Sequence, residues 1–220
     1  MYIKSYKIRL YPTKEQEQKM LSHDGACRFI WNYMLDHQQE LYKNGEKYLS
    51  GFSMINLLLV KFRQINVCLH NWLYDVSNKS LSYICIDLDK AYQNFFNKKS
   101  GFPKFKSRKL NSPKFPIREN IWFSDGVVAI EKIGKVRYKT DFELPFGKGH
   151  KFTNPRISKS GGKWMLSFGM MCESQALQLT DVSMGIDLGL KDLAVAEFNE
   201  EQIVFHNINK SRKIRKLNRK

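Results

Sequence analysis

The sequence predicts an α+β fold: a small β-barrel interrupted by an inserted three-helix bundle, then the first strands of a second, incomplete sheet. Three observations predict it. A lone strand of period two opens the chain, apolar residues then recur at helical spacing as far as residue 98, and short alternating runs return from about residue 120. The segments so defined are 1–13, the first barrel strand; 14–98, the helices; 99–181, a basic aromatic stretch and the rest of the barrel; and 182–220, the second sheet.

Size and charge narrow the function. The 220 residues can bury a real core, and the formal net charge of +16 marks a surface made for a polyanion, with nucleic acid the default. A basic protein kept soluble by its charge is the plainer alternative. Cys27, Cys68, Cys85 and Cys172 are scattered with no CxxC spacing, so they read as small core residues, with no disulfide framework and no zinc expected. No signal peptide or membrane-length apolar run is seen, and a reducing, cytoplasmic setting is expected.

Residues 2–11 alternate Tyr6, Ile8 and Leu10 against Lys7 and Arg9. Pro12 ends that strand, and Thr13 with Gln16 three residues on makes a capping box for a helix. Cys27, Ile30, Trp31, Met34 and Leu41 keep helical spacing up to Asn44-Gly45. Gly25 leaves two readings open, a helix-turn-helix or one kinked bundle helix. A second helix opens near Ser53. The third carries Leu81, Ile84, Cys85, Leu88, Ala91, Tyr92 and Phe95 on one stripe. Trp31 and Trp72 are both expected in the core.

Residues 97–118 hold eight Lys or Arg and no acid, interleaved with Phe102, Phe105, Phe115 and three prolines that forbid a helix. Cations hold phosphates while rings stack on bases, so this stretch reads as a grip for single strands or irregular RNA. A solvated linker has little reason to carry the phenylalanines. Beyond it, runs at 121–123, 127–130, 136–138 and 163–172, punctuated by Asp125-Gly126, Gly134, Gly147 and Ser160-Gly161-Gly162, are too short for a sandwich. A barrel completed by residues 2–11 resolves their edges. Lys132, Lys135, Arg137 and Lys139 should face outward.

The last feature is Met184-Gly-Ile-Asp-Leu-Gly-Leu-Lys-Asp-Leu-Ala-Val-Ala196, where alternation sets Asp187 opposite Ile186 and Leu188. Buried without a partner, such an acid would be protonated or cost several kcal/mol, and a divalent cation is its natural partner. A strand at 193–198 turns at Asn199 into Ile203-Val-Phe205, and residues 210–220 add seven basic residues.

Three stretches, Ala26-Cys-Arg-Phe-Ile-Trp-Asn32, Ala91-Tyr-Gln-Asn-Phe-Phe96 leading to Gly101-Phe-Pro-Lys-Phe-Lys-Ser-Arg108, and Gly185-Ile-Asp-Leu-Gly-Leu-Lys-Asp192, resemble in order and spacing the TnpB (OrfB) family of insertion-sequence proteins. The resemblance implies an RNA-guided, Mg²⁺-dependent DNA endonuclease. Its β-barrel ("wedge") is interrupted by a helical recognition lobe and followed by a RuvC nuclease domain of the RNase H fold, with guide RNA and target DNA as partners. Asp187 then matches the first catalytic, metal-binding aspartate. Arg28, Lys98, Lys99, Phe102, Lys104, Phe105, Lys106, Arg108 and Lys109 become the expected nucleic-acid contacts. The family's second and third carboxylates and its zinc ribbon fall beyond Lys220, so the chain as given is expected to bind without cutting. Two alternatives stand beside this: a DNA-binding regulator using residues 13–43 as a helix-turn-helix, and, remotely, an actin-like ATPase or kinase fragment. The second lacks a hydroxyl residue at Leu190.

Overall fold

In the computed structural model the described residues are 2–60, 71–117, 121–124, 126–142, 144, 152–172, 183–198 and 201–207. Cys68, Asp125, Gly147, Asn199 and the basic tail lie outside them. The chain divides into two compact units, Met1–Ser174 and Gln175–Lys220.

The first unit opens with β1 (Tyr2–Tyr11) and α1 (Lys14–Lys43). Thr13 and Gln16 form the reciprocal capping box expected, worth about 1 kcal/mol. The helix then runs unbroken for 30 residues. Of the two readings left open at Gly25 this is the single bundle helix, and no turn divides residues 14–43 into a helix-turn-helix. Gly25 sits inside a helix whose flanking turns bury Met20, Ala26, Cys27 and Ile30, and that burial outweighs the roughly 1 kcal/mol a mid-helix glycine costs. After α2 (Gly51–Val60) and a short 3₁₀ turn (Asn71–Asp75), α3 (Asn78–Phe96) turns Leu81, Ile84, Cys85, Leu88 and Tyr92 inward. Trp31 is buried, but Trp72 is 42% exposed, its ring set edge-on to Phe29. The core expectation fails for Trp72, which stands in a 3₁₀ turn at the surface.

The helices interrupt one curled antiparallel sheet. Its other strands are β2 (Lys114–Pro116), β3 (Trp122–Ser124), β4 (Val127–Ile130), β5 (Gly134–Lys139), β6 (Phe152–Ser160) and β7 (Lys163–Cys172), in the order β2-β6-β7-β1-β5-β4-β3. The opening strand does complete the sheet, seated between β7 and β5, and it buries Tyr6, Ile8 and Leu10 as alternation predicts. Curling brings Phe123 of β3 to 5.5 Å from both Phe152 of β6 and Phe168 of β7. The described strands nonetheless leave β2 and β3 as edges. Gly161 and Gly162, both at positive φ, make the tight β6–β7 hairpin.

Polar ties join helices to sheet. The Arg156 guanidinium on β6 grips the Asp87 carboxylate of α3 through two bonds of 2.7 Å. Glu17 near the start of α1 accepts from Lys159 Nζ and Trp164 Nε1 of the hairpin. Buried His23 accepts the Ser77 backbone N–H at Nε2, which leaves Nδ1–H to donate to the Lys19 carbonyl. Burial depresses its pKa and keeps the ring neutral in that role.

The second unit is a meander of β8 (Gly185–Leu188), β9 (Asp192–Phe198) and β10 (Glu201–His206), in the order β10-β9-β8. Direct pairing of Ile186 with Ala196 and of Ala196 with Ile203 puts these on one face, and Asp187, opposite Val195, on the other.

Candidate nucleic-acid interface

The basic segment begins where α3 ends. Lys98 N–H donates to Phe95 O and Lys99 N–H to Asn94 O, the paired bonds of a Schellman cap. The residue at its left-handed position is Lys98, at φ 56°. At the end of α1 the same bonds are made around Gly45, at φ 71°, the residue type that suits this conformation. Lysine there carries strain of about 1 kcal/mol. Lys98→Gly should therefore raise stability by roughly that amount in denaturant titration while weakening nucleic-acid binding. A variant that is both less stable and unchanged in binding would count against a binding role for Lys98.

From Lys98 the chain passes along α1 and is clamped to it. Trp31 Nε1–H donates to the Lys104 carbonyl at 3.0 Å. The Asn32 side chain bonds both backbone groups of Lys106, giving Nδ2–H to its carbonyl and accepting its N–H at 2.8 Å. An amide so placed acts as a one-residue strand partner. The Asp24 carboxylate holds Arg28 with one oxygen and the Lys114 N–H with the other. Two of the three stretches that carry the family resemblance are thus bonded to each other. Periodicity placed Trp31 and Asn32 on a helix, but nothing in the sequence announced their partners 73 and 74 residues away.

The clamp sorts the expected contacts. Lys98, Lys99, Lys104, Arg108 and Lys109 are exposed, as are the rings of Phe102 and Phe105. Arg28 is instead paired with Asp24, its side chain 20% exposed. Lys106 turns inward, its ammonium 3.4 Å from the centre of the Trp31 ring. Phe115 is fully buried on β2 and is a core residue, not a base platform.

Burial pushes the Lys106 ammonium down to about 8, with Asp87 resisting. Below pH 8 the charge is present folded and unfolded, and its burial opposes folding. As pH climbs from about 8 toward 10.5, the folded protein releases this proton first, so stability should rise. Lys106→Met should flatten that rise, on the order of 2 kcal/mol, in thermal melts across that range. Identical pH profiles for the two proteins would refute the assignment.

A second basic surface lies on the sheet. Lys132, Lys135, Arg137 and Lys139 are exposed as expected, and the register sets Arg9 directly across from Lys139. Like charges opposed on one face repel. Sequence reading gave the residues but not this pairing, which depends on β1 lying beside β5.

Asp187 on β8 is exposed, as are its strand neighbours. The condition under which burial would force this acid onto a cation is therefore not met among the described residues. Among the described residues no three His, Cys, Asp or Glu side chains converge on a metal position. Asp192, the nearest acid downstream, is hydrogen-bonded at 2.9 Å to His206.

Comparison with known proteins completes the picture. A family model described as a helix-turn-helix domain (HTH_OrfB_IS605) matches residues 1–47, the span of β1, α1 and its cap. InsQ of Escherichia coli (strain K12), provisionally named an RNA-guided DNA endonuclease, is 30% identical over 97% of this chain and 51% of its own length. A Streptomyces pristinaespiralis protein given the same provisional activity is 24% identical over 90% of this chain and 49% of its own. A solved Cas12f1–sgRNA–target DNA complex aligns at 14% identity with a TM-score of 0.40, covering 100% of this chain and 59% of that one. The family model and these two relatives agree with the TnpB (OrfB) resemblance carried by the three sequence stretches. The chain spans about half the length of the curated relatives it matches.

Proposed function

We propose that this chain is the nucleic-acid-holding portion of an RNA-guided, metal-dependent DNA endonuclease, with a guide RNA and its target DNA as partners and the cytoplasm as its place of work. The observation that carries this is the clamped segment 97–113. It is an irregular backbone, fixed to α1 by Trp31 and Asn32, that presents five cations and two phenylalanine rings to solvent. Five lysines and arginines on one tethered ribbon repel one another, and phosphates relieve that repulsion. Arg28 and Lys106 serve from beneath as positioning residues. The three-stranded meander, with Asp187 on its first strand, fits the start of a RuvC-type sheet, and Asp187 is one of the carboxylates such a site would use for Mg²⁺.

Ultraviolet crosslinking tests this reading. Photoactivatable RNA of mixed sequence is bound to the purified protein, and the crosslinked peptides are mapped by mass spectrometry. Adducts are expected on 98–109, with others on the β5 face. Adducts confined to the sheet, with none on 98–109, would overturn the assignment.

A further inference from the structure

The helical end of the first unit holds an aromatic cavity of about 550 Å³ that the reading above leaves unused. It opens between the last turn of α1, the loop after it, the last turn of α3 and Phe102. Its walls are Tyr42, Tyr48, Tyr92, Phe95, Phe96 and Phe102. Tyr92 anchors the group, edge-on to Tyr48 at 5.4 Å and to Phe102 at 5.5 Å, and tilted against Phe96 at 6.0 Å. Yet Tyr42 is 85%, Phe96 59% and Phe102 43% exposed. Aromatic surface gathered in one place and left in water marks a binding surface, as singly scattered exposed rings would not.

The cavity is also preformed. The Tyr48 hydroxyl donates to Asp89 at 2.6 Å, which fixes that ring. Gln38 bonds both ways to the Leu49 backbone and pins the loop to α1. Walls held this way lose little freedom when a ligand enters. Lys43 and Glu46 both line it, and the exposed Lys98 and Lys99 follow its wall residue Phe96 by two and three positions.

We propose that this cavity takes one unstacked base of a single-stranded nucleic acid, whose flanking phosphates lie on Lys98 and Lys99. Exposed ring faces supply stacking, the volume admits a purine, and the neighbouring cations neutralise the backbone on either side. The proposal rests on the nucleic-acid reading above and adds to it a place where a base leaves the stack. An apolar peptide would fill the rings equally well but has no use for the exposed lysines that follow Phe96.

The test uses the whole chain and 12-nucleotide single strands, RNA and DNA of one sequence, with 2-aminopurine at successive positions. One register is expected to change fluorescence sharply on binding. Tyr42→Ala and Phe102→Leu, chosen because both side chains are exposed and neither change should unfold the protein, are expected to abolish that signal. They should weaken single-strand affinity ~5- to 100-fold, with the salt slope and duplex affinity unchanged. A stronger effect with RNA than with DNA would identify the 2′-hydroxyl as part of the site, and equal effects would identify the base alone. If both variants bind every strand as the parent does while Lys98→Ala with Lys99→Ala weakens binding, the base pocket is wrong and the wider reading stands. If the parent protein binds none of the strands, both fall.

Discussion

Alanine at Lys98, Lys99, Lys104, Arg108 and Lys109 together is expected to remove most of the salt sensitivity of single-strand binding. Each phosphate neutralised contributes about 0.7 to the slope of log affinity against log salt for single strands. Five contacts therefore give a slope near 3.5, or a loss on the order of 100-fold between ~50 and 200 mM salt. The quintuple variant should start weaker and decline more gently, its slope shallower by about 3.5. Fluorescence anisotropy across a salt series measures this directly. All five side chains are exposed, so the variant should melt close to the parent and folding should not confuse the result. An unchanged slope would mean that the phosphates lie elsewhere, with the face of Arg9, Arg137 and Lys139 the next place to look.

Trp31→Ala should have the largest effect on stability. The side chain is 8% exposed, so its removal opens a cavity and costs roughly 3–5 kcal/mol. It also strips the Lys104 carbonyl of its donor and the Lys106 ammonium of its ring. For a unit of this size a fall of roughly 10 °C in Tm is expected. Below that transition the variant should bind RNA more weakly than the parent, although no phosphate contact has been touched. Trp31→Phe keeps a ring and loses only the N–H, and should show a small part of both effects. If Trp31→Ala binds as the parent does at temperatures where both are folded, the clamp is not what presents the cations.

Local signals in the sequence were legible wherever neighbours in the chain decide the outcome. The Thr13–Gln16 box, the stripe from Leu81 to Tyr92, the Gly161-Gly162 hairpin and the alternation around Asp187 involve residues within a few positions of one another. Gly25 left two readings open, and a single helix is found because a propensity of about 1 kcal/mol yields to the burial of its helical neighbours. The site was harder to read. Its basic and aromatic composition was plain, but which members face water depends on partners some 70 residues away, and composition is blind to that. Arg28, Lys106 and Phe115 look like their exposed neighbours in the sequence and differ from them only in what α1 and β6 set beside them. The aromatic cavity had no sequence signature, because its rings come from three separate segments.

Arg9 facing Lys139 across the sheet has a consequence for the protein's own folding equilibrium. Same-sign charges held in register raise the free energy of the native state, while the unfolded chain can spread them apart. A polyanion bridging them binds the folded form alone, so its binding energy is added to the stability of the fold. A nucleic acid bound across that pair, as proposed above, would act on the fold as well as being held by it: removing it would lower the melting temperature, and added salt would recover part of the loss by screening the repulsion.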